Sequence, residues 1–416
     1  MAAPGRPTEA EVFMAADSDH PHVKFGRLRR IPRSVWALGF VSLLMDVSSE
    51  MIHSLLPLFL VVEIGVGVLA VGLIEGVAEA AASITKAYSG ALSDRLGRRK
   101  LLAVAGYGLA ALTKPIFPLV DTVGWVFLAR FADRVGKGIR GAPRDALVAD
   151  LAPANLRGAA YGLRQALDTA GALAGPLIAI LLMVVFLGDM RRVFWLAVIP
   201  AFAAVLVLVV FVHDPPQRAG GDAPRNPLRR AALRSLGRRY WMTVAVAGFL
   251  MLPRFSEALL ILRGGGPALT AAFVPLVLVA MNIGYLLTAY PAGSLSDRVG
   301  RRGMLAGGYI VLALADLVLA SAEAAGTVLS GALLWGLHMG LTQGILAALV
   351  ADTAPARRRG TAFGVFHLVT GLAVLLASVI AGWLWQSMGP AWAFGAGAVV
   401  AALCVPAIVI ALPRGG

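Results

Sequence analysis

Apolar runs of about 20 residues or more alternate with short polar loops along most of this chain. A helix needs about 20 residues to cross roughly 30 Å of hydrocarbon, so each run is long enough to span a membrane. The pattern predicts twelve spans, at 35–62, 67–92, 101–120, 123–150, 158–187, 193–212, 240–262, 269–294, 303–322, 326–351, 360–385 and 391–413. The predicted fold class is an all-α polytopic membrane protein with twelve transmembrane helices.

Two strings of the sequence occur twice. GALSDRLGRRK at 90–100 returns as GSLSDRVGRR at 293–302, and LVADLAPANLRGAAYGL at 147–163 returns as LVADTAPARRRGTAFGV at 349–365. Two independent matches at nearly one spacing indicate a duplication. Solenoid repeats are only ~20–50 residues long, so each of these much longer copies is a folding unit of its own.

Residues 213–239 lack an apolar run and are rich in Pro, Gly and Arg, which predicts a linker between the two copies. The start of the chain is polar and lacks the apolar core of a cleaved signal peptide. The predicted organisation is a cytoplasmic tail at 1–33, a six-helix bundle at 34–212, the linker, and a second, pseudo-symmetric six-helix bundle at 240–416.

Composition and charge agree with a membrane protein. Hydrophobic residues make up 58% of the chain and charged residues 14%, whereas soluble domains average about 25% charged residues. The formal charge of +14 comes from loops on the side of the tail, so it indicates both termini in the cytoplasm and the chain in the cell membrane, rather than a nucleic-acid partner. Arg191 and Arg192 are exceptions, because they are predicted on the outer side.

The sequence contains no string typical of a catalytic or metal site. It has no Walker loop, no His-Glu-x-x-His, no nucleophile elbow and no His or Cys cluster at metal-binding spacing. The one cysteine, Cys404, has no intrachain partner. We therefore expect no enzyme activity, metal or cofactor. The expected partners are the lipid bilayer, a small-molecule substrate and protons, and the expected oligomeric state is a monomer.

Two six-span halves with Gly-x-Leu-Ser-Asp-Arg-x-Gly-Arg-Arg between the second and third span of each resemble the major facilitator superfamily, over nearly the whole chain. SLLMDVSSEMIHSLLPLFL and DRVGKGIRGAPRDALVAD resemble, more narrowly, a branch of its bacterial and archaeal members. The resemblance implies secondary transport by alternating access, inverted three-helix repeats in each half, and a substrate site near the midplane between the halves.

The resemblance also implies a gating role for the repeated loop string, whose acid and first arginine would lock the halves together. The alternative is a topological anchor, which needs the cations and not the acid. The residues that the motif contributes are Gly90, Asp94, Arg95, Gly97, Arg98, Arg99, Gly293, Asp297, Arg298, Gly300 and Arg301.

The fourth span is unusually rich in cations. Arg130, Arg134, Lys137 and Arg144 recur at helical spacings and share one face, with Arg140 at its edge. A charge facing lipid at mid-span costs at least ~2.5–3.5 kcal/mol, so this face meets protein or water. The stretch around Arg134 is similar to the family's fourth-helix pattern, with Lys137 where Gln is usual, and this implies a role for Arg134 in proton coupling.

Acids on the neighbouring spans balance these cations. Asp46, Glu50 and His53 form one helical stripe, and Glu75, Glu79 and Lys86 form another. The intramembrane charges counted in the first half are the acids Asp46, Glu50, Glu75, Glu79, Asp133, Asp145 and Asp168 and the bases Lys86, Arg130, Arg134, Lys137, Arg140, Arg144 and Arg164. Equal numbers indicate a paired, buried network, whose pairs either serve transport or only satisfy one another.

The mid-span acids are the candidates for moving a proton. Burial favours the neutral form of a carboxyl group and a nearby arginine favours the charged form, which is the condition for a proton carrier. The hypothesis is that Glu50 and Glu79 carry the coupling proton, with Asp46 and Glu75 behind them and His53 as a relay.

Two further features bear on direction and on the second half. GALAGP at 171–176 gives small-residue spacing for close helix contact, and it resembles the antiporter motif of exporting members without the glycines beyond the proline. In the second half Gly336 stands where Arg134 stands in the first, and the main expected ion pair is Arg254 with Glu257. Uncharged polar candidates for a pathway are Asn282, Tyr285, His338, Gln343 and His367.

The sequence thus predicts a secondary transporter that exports a small organic solute in exchange for protons. One alternative is a proton-coupled importer or exchanger of a small organic anion, in which Arg130 and Arg134 bind the anion directly. Another is a membrane receptor that transports nothing. The identity of the substrate, the direction and the stoichiometry stay open at this point.

Overall fold

The computed structural model describes residues 30–96, 98–153, 156–213, 236–265, 268–355 and 359–411. Most of the predicted tail and linker lies outside these ranges. Gly97 also lies outside them, and within them the structure does not describe the motif position Gly293 or the side chains of Asp94, Arg95, Asp297 and Arg298.

The described residues form helices and no strand. They are α1 (Arg33–His53), α2 (Leu56–Val62), α3 (Val68–Leu96), α4 (Arg99–Thr113), α5 (Val123–Leu151), α6 (Arg157–Val185), α7 (Met190–Phe211), α8 (Gly237–Leu250), α9 (Glu257–Gly264), α10 (Leu276–Val299), α11 (Arg301–Ala320), α12 (Ala325–Thr353), α13 (Arg359–Met388) and α14 (Pro390–Ala411), with short 3₁₀ helices at Lys114–Leu119 and Ala271–Phe273.

Each of the twelve expected spans coincides with a helical segment, and ten of them are long and apolar enough to cross a membrane. The other two are α5, which carries many charged side chains, and the seventh span, which is divided between α8 and α9. The architecture is an all-helical polytopic membrane fold, consistent with twelve spans.

Three spans are interrupted where prolines prevent a continuous helix. Pro57 lies in the first turn of α2, Pro115 in the first turn of the 3₁₀ helix that ends the third span, and Pro253 in the non-helical stretch between α8 and α9. A proline lacks the backbone N–H and its ring collides with the preceding helical turn. In lipid such breaks are tolerated where the backbone lines a cavity or meets protein.

The first half (residues 34–213) and the second half (residues 236–411) meet mainly along two helix pairs, α3 with α13 and α6 with α10, and α9 also contacts α2 and α3. Small residues allow the close approach: a Cβ added at Gly72 would lie 2.6 Å from the carbonyl oxygen of Ser378. The Asn282 amide donates a hydrogen bond to the carbonyl oxygen of Ala172 (3.2 Å), which joins α10 to α6.

The two repeated strings contact each other within each half. Arg99 of the loop motif donates to Asp150 at the end of α5 (2.6 Å), and Arg301 donates to Asp352 at the end of α12. Each pair joins the start of the helix that follows the motif (α4 or α11) to the end of the helix after it (α5 or α12). This contact gives a structural reason why both strings are present in both copies.

Arg191, which the charge pattern left unexplained, holds three loops together at the end of the bundle where α2 lies. Its guanidinium donates to Glu63 (3.1 Å), to Asp121 (2.6 Å) and to the carbonyl oxygen of Pro118 (3.1 Å). It also lies over the ring of Phe59, 5.2 Å from the ring centroid. A basic residue at this end therefore has a structural role.

The close packing of α10 on α12 predicts that Gly336 cannot be enlarged. A methyl group at Gly336 would collide with the carbonyl oxygen of Met281, whereas Gly344 on the same helix has no atom within 4 Å of such a group. We expect Gly336→Ala to destabilise the protein by at least ~1–3 kcal/mol, because the obstacle is backbone. Gly344→Ala is the control and should be neutral or slightly stabilising.

Thermal unfolding in detergent is readily followed through the single cysteine. Cys404 is buried, so a thiol-reactive fluorophore labels it only as the helices separate. A lower unfolding midpoint for Gly336→Ala and an unchanged one for Gly344→Ala are expected. Equal midpoints for the two variants would contradict the α10–α12 contact.

Candidate functional site

Two adjoining cavities lie between the halves. The smaller has a volume of about 240 Å³ and the larger about 420 Å³. Glu50, Glu79 and Lys137 line both of them, so these three side chains stand where the cavities meet. Lys86 and Arg144 line the larger cavity, which places it toward the end of the bundle where α1 begins.

A chain of polar contacts crosses from the first half to the second in the wall of the smaller cavity. Arg130 donates to both oxygens of Glu75, from Nε to Oε1 (2.8 Å) and from Nη2 to Oε2 (2.7 Å). Nη2 also lies 2.7 Å from Nδ1 of His53. Because a guanidinium only donates, Nδ1 accepts and the ring proton is on Nε2. Nε2 lies 3.7 Å from Oε2 of Glu257, in the second half.

Lys114 forms a buried ion pair that the sequence interpretation missed. Its ammonium group donates to Asp133 (2.9 Å) and to the hydroxyl of Ser49 (3.1 Å), and its side chain is 1% exposed. The equal count of acids and bases was therefore wrong by one cation. The signal was available, since this lysine stands inside an apolar run just before Pro115.

Arg134 lies beside this network and is less tightly held. Its guanidinium lies 3.9 Å from Asp133 and 4.0 Å from Glu79, and its Nε has no hydrogen-bond partner among the described residues. The side chain of Glu79 is 50% exposed, in the cavities. The arginine that the family pattern singles out thus faces a carboxylate that is accessible from both cavities.

A second network lines the larger cavity. Nη1 of Arg144 donates to Ser42 (3.1 Å) and to Asp168 (3.4 Å), and Arg164 lies 3.7 Å from Asp145 and 3.8 Å from Asp168. Asp46 on α1 and Asp168 on α6 both line this cavity, so acids from two neighbouring helices face it together.

Arg140 has an aromatic partner in place of an acid. Its guanidinium lies over the ring of Tyr107, 4.6 Å from the centroid, and its Nη1 is buried without a hydrogen-bond partner within the described part of the chain. The sequence interpretation placed Arg140 in the ionic network. The structure shows this cation–π contact and places Arg140 in the wall of the larger cavity with Asp46 and Asp168.

The expected ion pair between Arg254 and Glu257 is not formed: in the described structure no side-chain nitrogen of Arg254 lies within 4 Å of a carboxylate oxygen of Glu257. Three positions apart on a helix they would be neighbours, but Arg254 lies in the non-helical stretch before α9. Its guanidinium lies over Trp335, 5.8 Å from the ring centroid, and Glu257 faces His53. This prediction failed because the sequence pattern did not reveal the break in the seventh span.

The uncharged polar candidates divide between the cavities and the interior. Asn282, Tyr285 and His367 line the larger cavity, and Gln343 lines the smaller one. His338 lines neither and is fully buried, with its Nδ1 2.8 Å from the carbonyl oxygen of Gly308.

Comparison with known proteins decides the family. The model of the Major Facilitator Superfamily matches residues 38–264 and 266–415. An uncharacterised MFS-type transporter of Methanocaldococcus jannaschii is 32% identical over 381 residues, which cover 90% of this chain and 93% of the relative. The chain belongs to the Major Facilitator Superfamily.

Solved structures agree with this membership at the level of fold. A POT family transporter in complex with 5-aminolevulinic acid superimposes with a TM-score of 0.76 at 14% identity, covering 91% of this chain and 96% of that one. A D-xylose–proton symporter does so with a TM-score of 0.71 at 17% identity, covering 91% and 97%. Family and fold are those of membrane transporters of small molecules, which does not favour the receptor alternative.

The predicted site residues of this facilitator fall into two groups. The proton-coupling candidates Asp46, Glu50, His53, Glu75 and Glu79 and most of the cation face of α5 meet around the two cavities. The gating motif lies away from them, at the ends of α3 and α10. Its described part shows the Arg99 and Arg301 contacts and a positive φ of 81° at Gly300, a conformation that favours glycine.

The buried Lys114–Asp133 pair predicts a large effect of removing one partner. Lys114→Met leaves Asp133 with only the longer contacts to Arg130 and Arg134, so we expect a loss of about 3–5 kcal/mol of stability. The double variant Lys114→Met, Asp133→Leu should lose less than the sum of the single variants, since it leaves no uncompensated acid.

The matched control is the exposed pair Arg192–Asp189, whose atoms lie 2.9 Å apart. Arg192→Met should cost less than about 1 kcal/mol, because solvent screens an exposed pair. Cys404 labelling during thermal unfolding gives the unfolding midpoint of each of these variants and of the wild type. Equal midpoints for Lys114→Met and Arg192→Met would show that Lys114 is not a buried partner.

Proposed function

We propose that this facilitator exports a small organic solute in exchange for protons, and that Glu50 and Glu79 carry the coupling proton. The observation that carries the proposal is the position of these two carboxylates with Lys137 at the junction of the two cavities. A group at the junction meets water from one side and the substrate space from the other. That is the position in which the protonation of a carboxyl group can depend on the occupant of the cavity.

The contacts of the other acids support this choice. Both oxygens of Glu75 accept from Arg130, and Asp133 accepts from Lys114, so each of these carboxylates is held in its charged form by a direct partner. Glu50 has no ion pair within 4 Å in the described structure, and Glu79 has one contact at 4.0 Å. Carboxylates with free oxygens bind and release a proton without breaking a strong pair.

The packing of α6 supports a link between Glu50 and helix movement. A Cβ added at Gly175, in the stretch similar to the antiporter motif, would lie 2.6 Å from Cβ of Glu50 and 2.9 Å from the carbonyl oxygen of Val47. A Cβ added at Gly171 would lie equally close, 2.6 Å, to the carbonyl oxygen of Leu43. Any shift of α6 against α1 therefore changes the surroundings of Glu50, which favours coupled exchange.

Exchange of a small organic anion is the second candidate, and Lys137 is the observation that favours it. Its side chain is exposed to both cavities and has no acid within 4 Å in the described structure. Arg130 does not support this candidate, because Glu75 and His53 occupy its guanidinium. An anion exchanger would thus depend on Lys137 and Arg134, and their replacement by Gln would abolish binding at every pH.

Proton movement in proteoliposomes tests the proposal. With a pH dye inside and a panel of organic acids, sugars, amino acids and cationic dyes added outside, at least one class should move protons in the wild type. Glu50→Gln and Glu79→Gln should each abolish that movement, because an amide binds no proton. Glu63→Gln, which neutralises an acid bound to Arg191 far from the cavities, should retain it.

Each outcome has a meaning. Protons that still move in both glutamine variants would overturn the role of these carboxylates. Solute that equilibrates without proton movement in the wild type would indicate a uniporter or an anion exchanger. For an anion exchanger, Lys137→Gln should abolish flux and Glu50→Gln should not.

The gating role of the repeated motif is a separate proposal. If Asp94 and Asp297 help lock the halves in one state of the cycle, Asp94→Asn should reduce the solute flux at least several-fold while binding is retained. Binding measured by isothermal calorimetry and flux measured in the same proteoliposomes separate the two effects. A variant with full flux would leave the motif as a topological anchor only.

A further inference from the structure

A carboxyl group without a partner lies in the core of the second half. Asp316 on α11 is 0% exposed, and neither of its oxygens has a hydrogen-bond partner among the described residues. The indole Nε1 of Trp335 lies near this carboxyl group but forms no hydrogen bond with it. Neither the sequence interpretation nor the proposed transport mechanism uses this acid.

The internal duplication shows what Asp316 replaces. The offset that relates Asp150 to Asp352 also relates Gly106-Tyr107 to Gly308-Tyr309, Lys114 to Asp316 and Asp133 to Trp335. Where the first half has a buried ion pair, the second half has an acid beside an indole. The cation that would balance the charge of the acid is absent from this position.

The surroundings of Asp316 supply no ion pair in the described structure. The titratable or charged groups with described side chains on its own helix and on the elements around it are Arg301, Arg302 and Tyr309 on α11, His338 and Asp352 on α12, Cys404 on α14, Tyr285 on α10, Arg254, Glu257 and Arg263 in and just before α9, and Glu323 after α11. Arg301 at the start of α11 pairs with Asp352. Arg263 donates to the carbonyl oxygens of Leu319 and Ala322, and Glu257 faces His53. Arg254 has no acid within 4 Å among the described residues, and its guanidinium lies over the ring of Trp335, beside Asp316.

Packing is close on the side of Asp316 that faces α14. A Cβ added at Gly397 on α14 would lie 2.5 Å from Oδ2 of Asp316 and 3.2 Å from Cε1 of Phe255. An isolated carboxylate in an apolar interior is so costly that the group takes up a proton instead. The ligand that fits this site is therefore a proton.

We propose that Asp316 is a second proton-binding site, separated from the smaller cavity by the side chains of Trp335 and Phe255. Both of these aromatic side chains line that cavity, so they form a wall between it and the carboxyl group. The carboxylate takes one proton from cavity water and returns it there. In the deprotonated state its negative charge attracts Arg254, which stands on the cavity side of Trp335 in the break of the seventh span.

This inference goes beyond the proposed coupling through Glu50 and Glu79, and it adds a titrating group to the half that otherwise has few charges. Protonation of Asp316 releases Arg254 and deprotonation draws it toward α11. The break between α8 and α9 is the element that such a movement would shift, since irregular backbone adjusts more easily than a continuous helix.

Difference infrared spectroscopy of the reconstituted protein tests the proposal without any transport substrate. A protonated carboxyl group has a C=O stretching band that an ionised one lacks. The wild type at neutral pH should show such a band, and Asp316→Asn should lose it. Asp352→Asn, which removes the exposed partner of Arg301, is the control and should keep it. A spectrum of Asp316→Asn with the same band as the wild type would overturn the proposal.

A second variant covers the case in which Asp316→Asn does not fold. Trp335→Phe removes the N–H that approaches the carboxyl group, so the band should shift in frequency and stay present. An unshifted band in Trp335→Phe counts against the site, and so does a band retained in any folded variant without a carboxyl group at position 316. If the wild type moves no protons in proteoliposomes, the transport proposal fails while the infrared result for Asp316 still stands.

Discussion

The cost of an unpaired charge away from water is the constraint on which the rest of this structure depends. Arg130 is 2% exposed, and it exists at that depth only because Glu75 takes two of its hydrogen bonds and His53 a third. The same cost places Lys114 against Asp133. These contacts join α1, α3, the end of the third span and α5 into one unit, so the ion pairs also specify which helices are neighbours.

Proton coupling requires the opposite arrangement, in which a carboxylate has no fixed partner. The structure has both kinds of acid in one bundle. Glu75 and Asp133 are held by direct partners in the wall, whereas Glu50 and Glu79 stand at the junction of two cavities. In the proposed function, the rigid pairs of the wall have the structural part, and the carboxylates without a fixed partner have the part of carrying the proton.

The duplication produced two halves with the same backbone plan and different chemistry. Both keep the arginine-to-aspartate contact between the repeated strings, because that contact sets the ends of helices in either copy. The charged face of α5 has no counterpart on α12, where Gly336 allows α10 to approach closely enough to exclude side chains. Charge in the first half and close packing in the second are two solutions for the same helix position.

The sequence by itself determined the membrane class, the helical segments, the duplication and the family, because these follow from hydropathy and from two repeated strings. It also identified nearly every charged residue that lines the cavities, since a charge inside an apolar run needs a reason to be there. Only the tertiary structure decided the partners: that Glu257 faces His53, that Arg140 lies on Tyr107, and that Arg254 turns to Trp335. Partners depend on how helices distant in sequence are packed and on breaks such as the one at Pro253, and hydropathy carries no information about either.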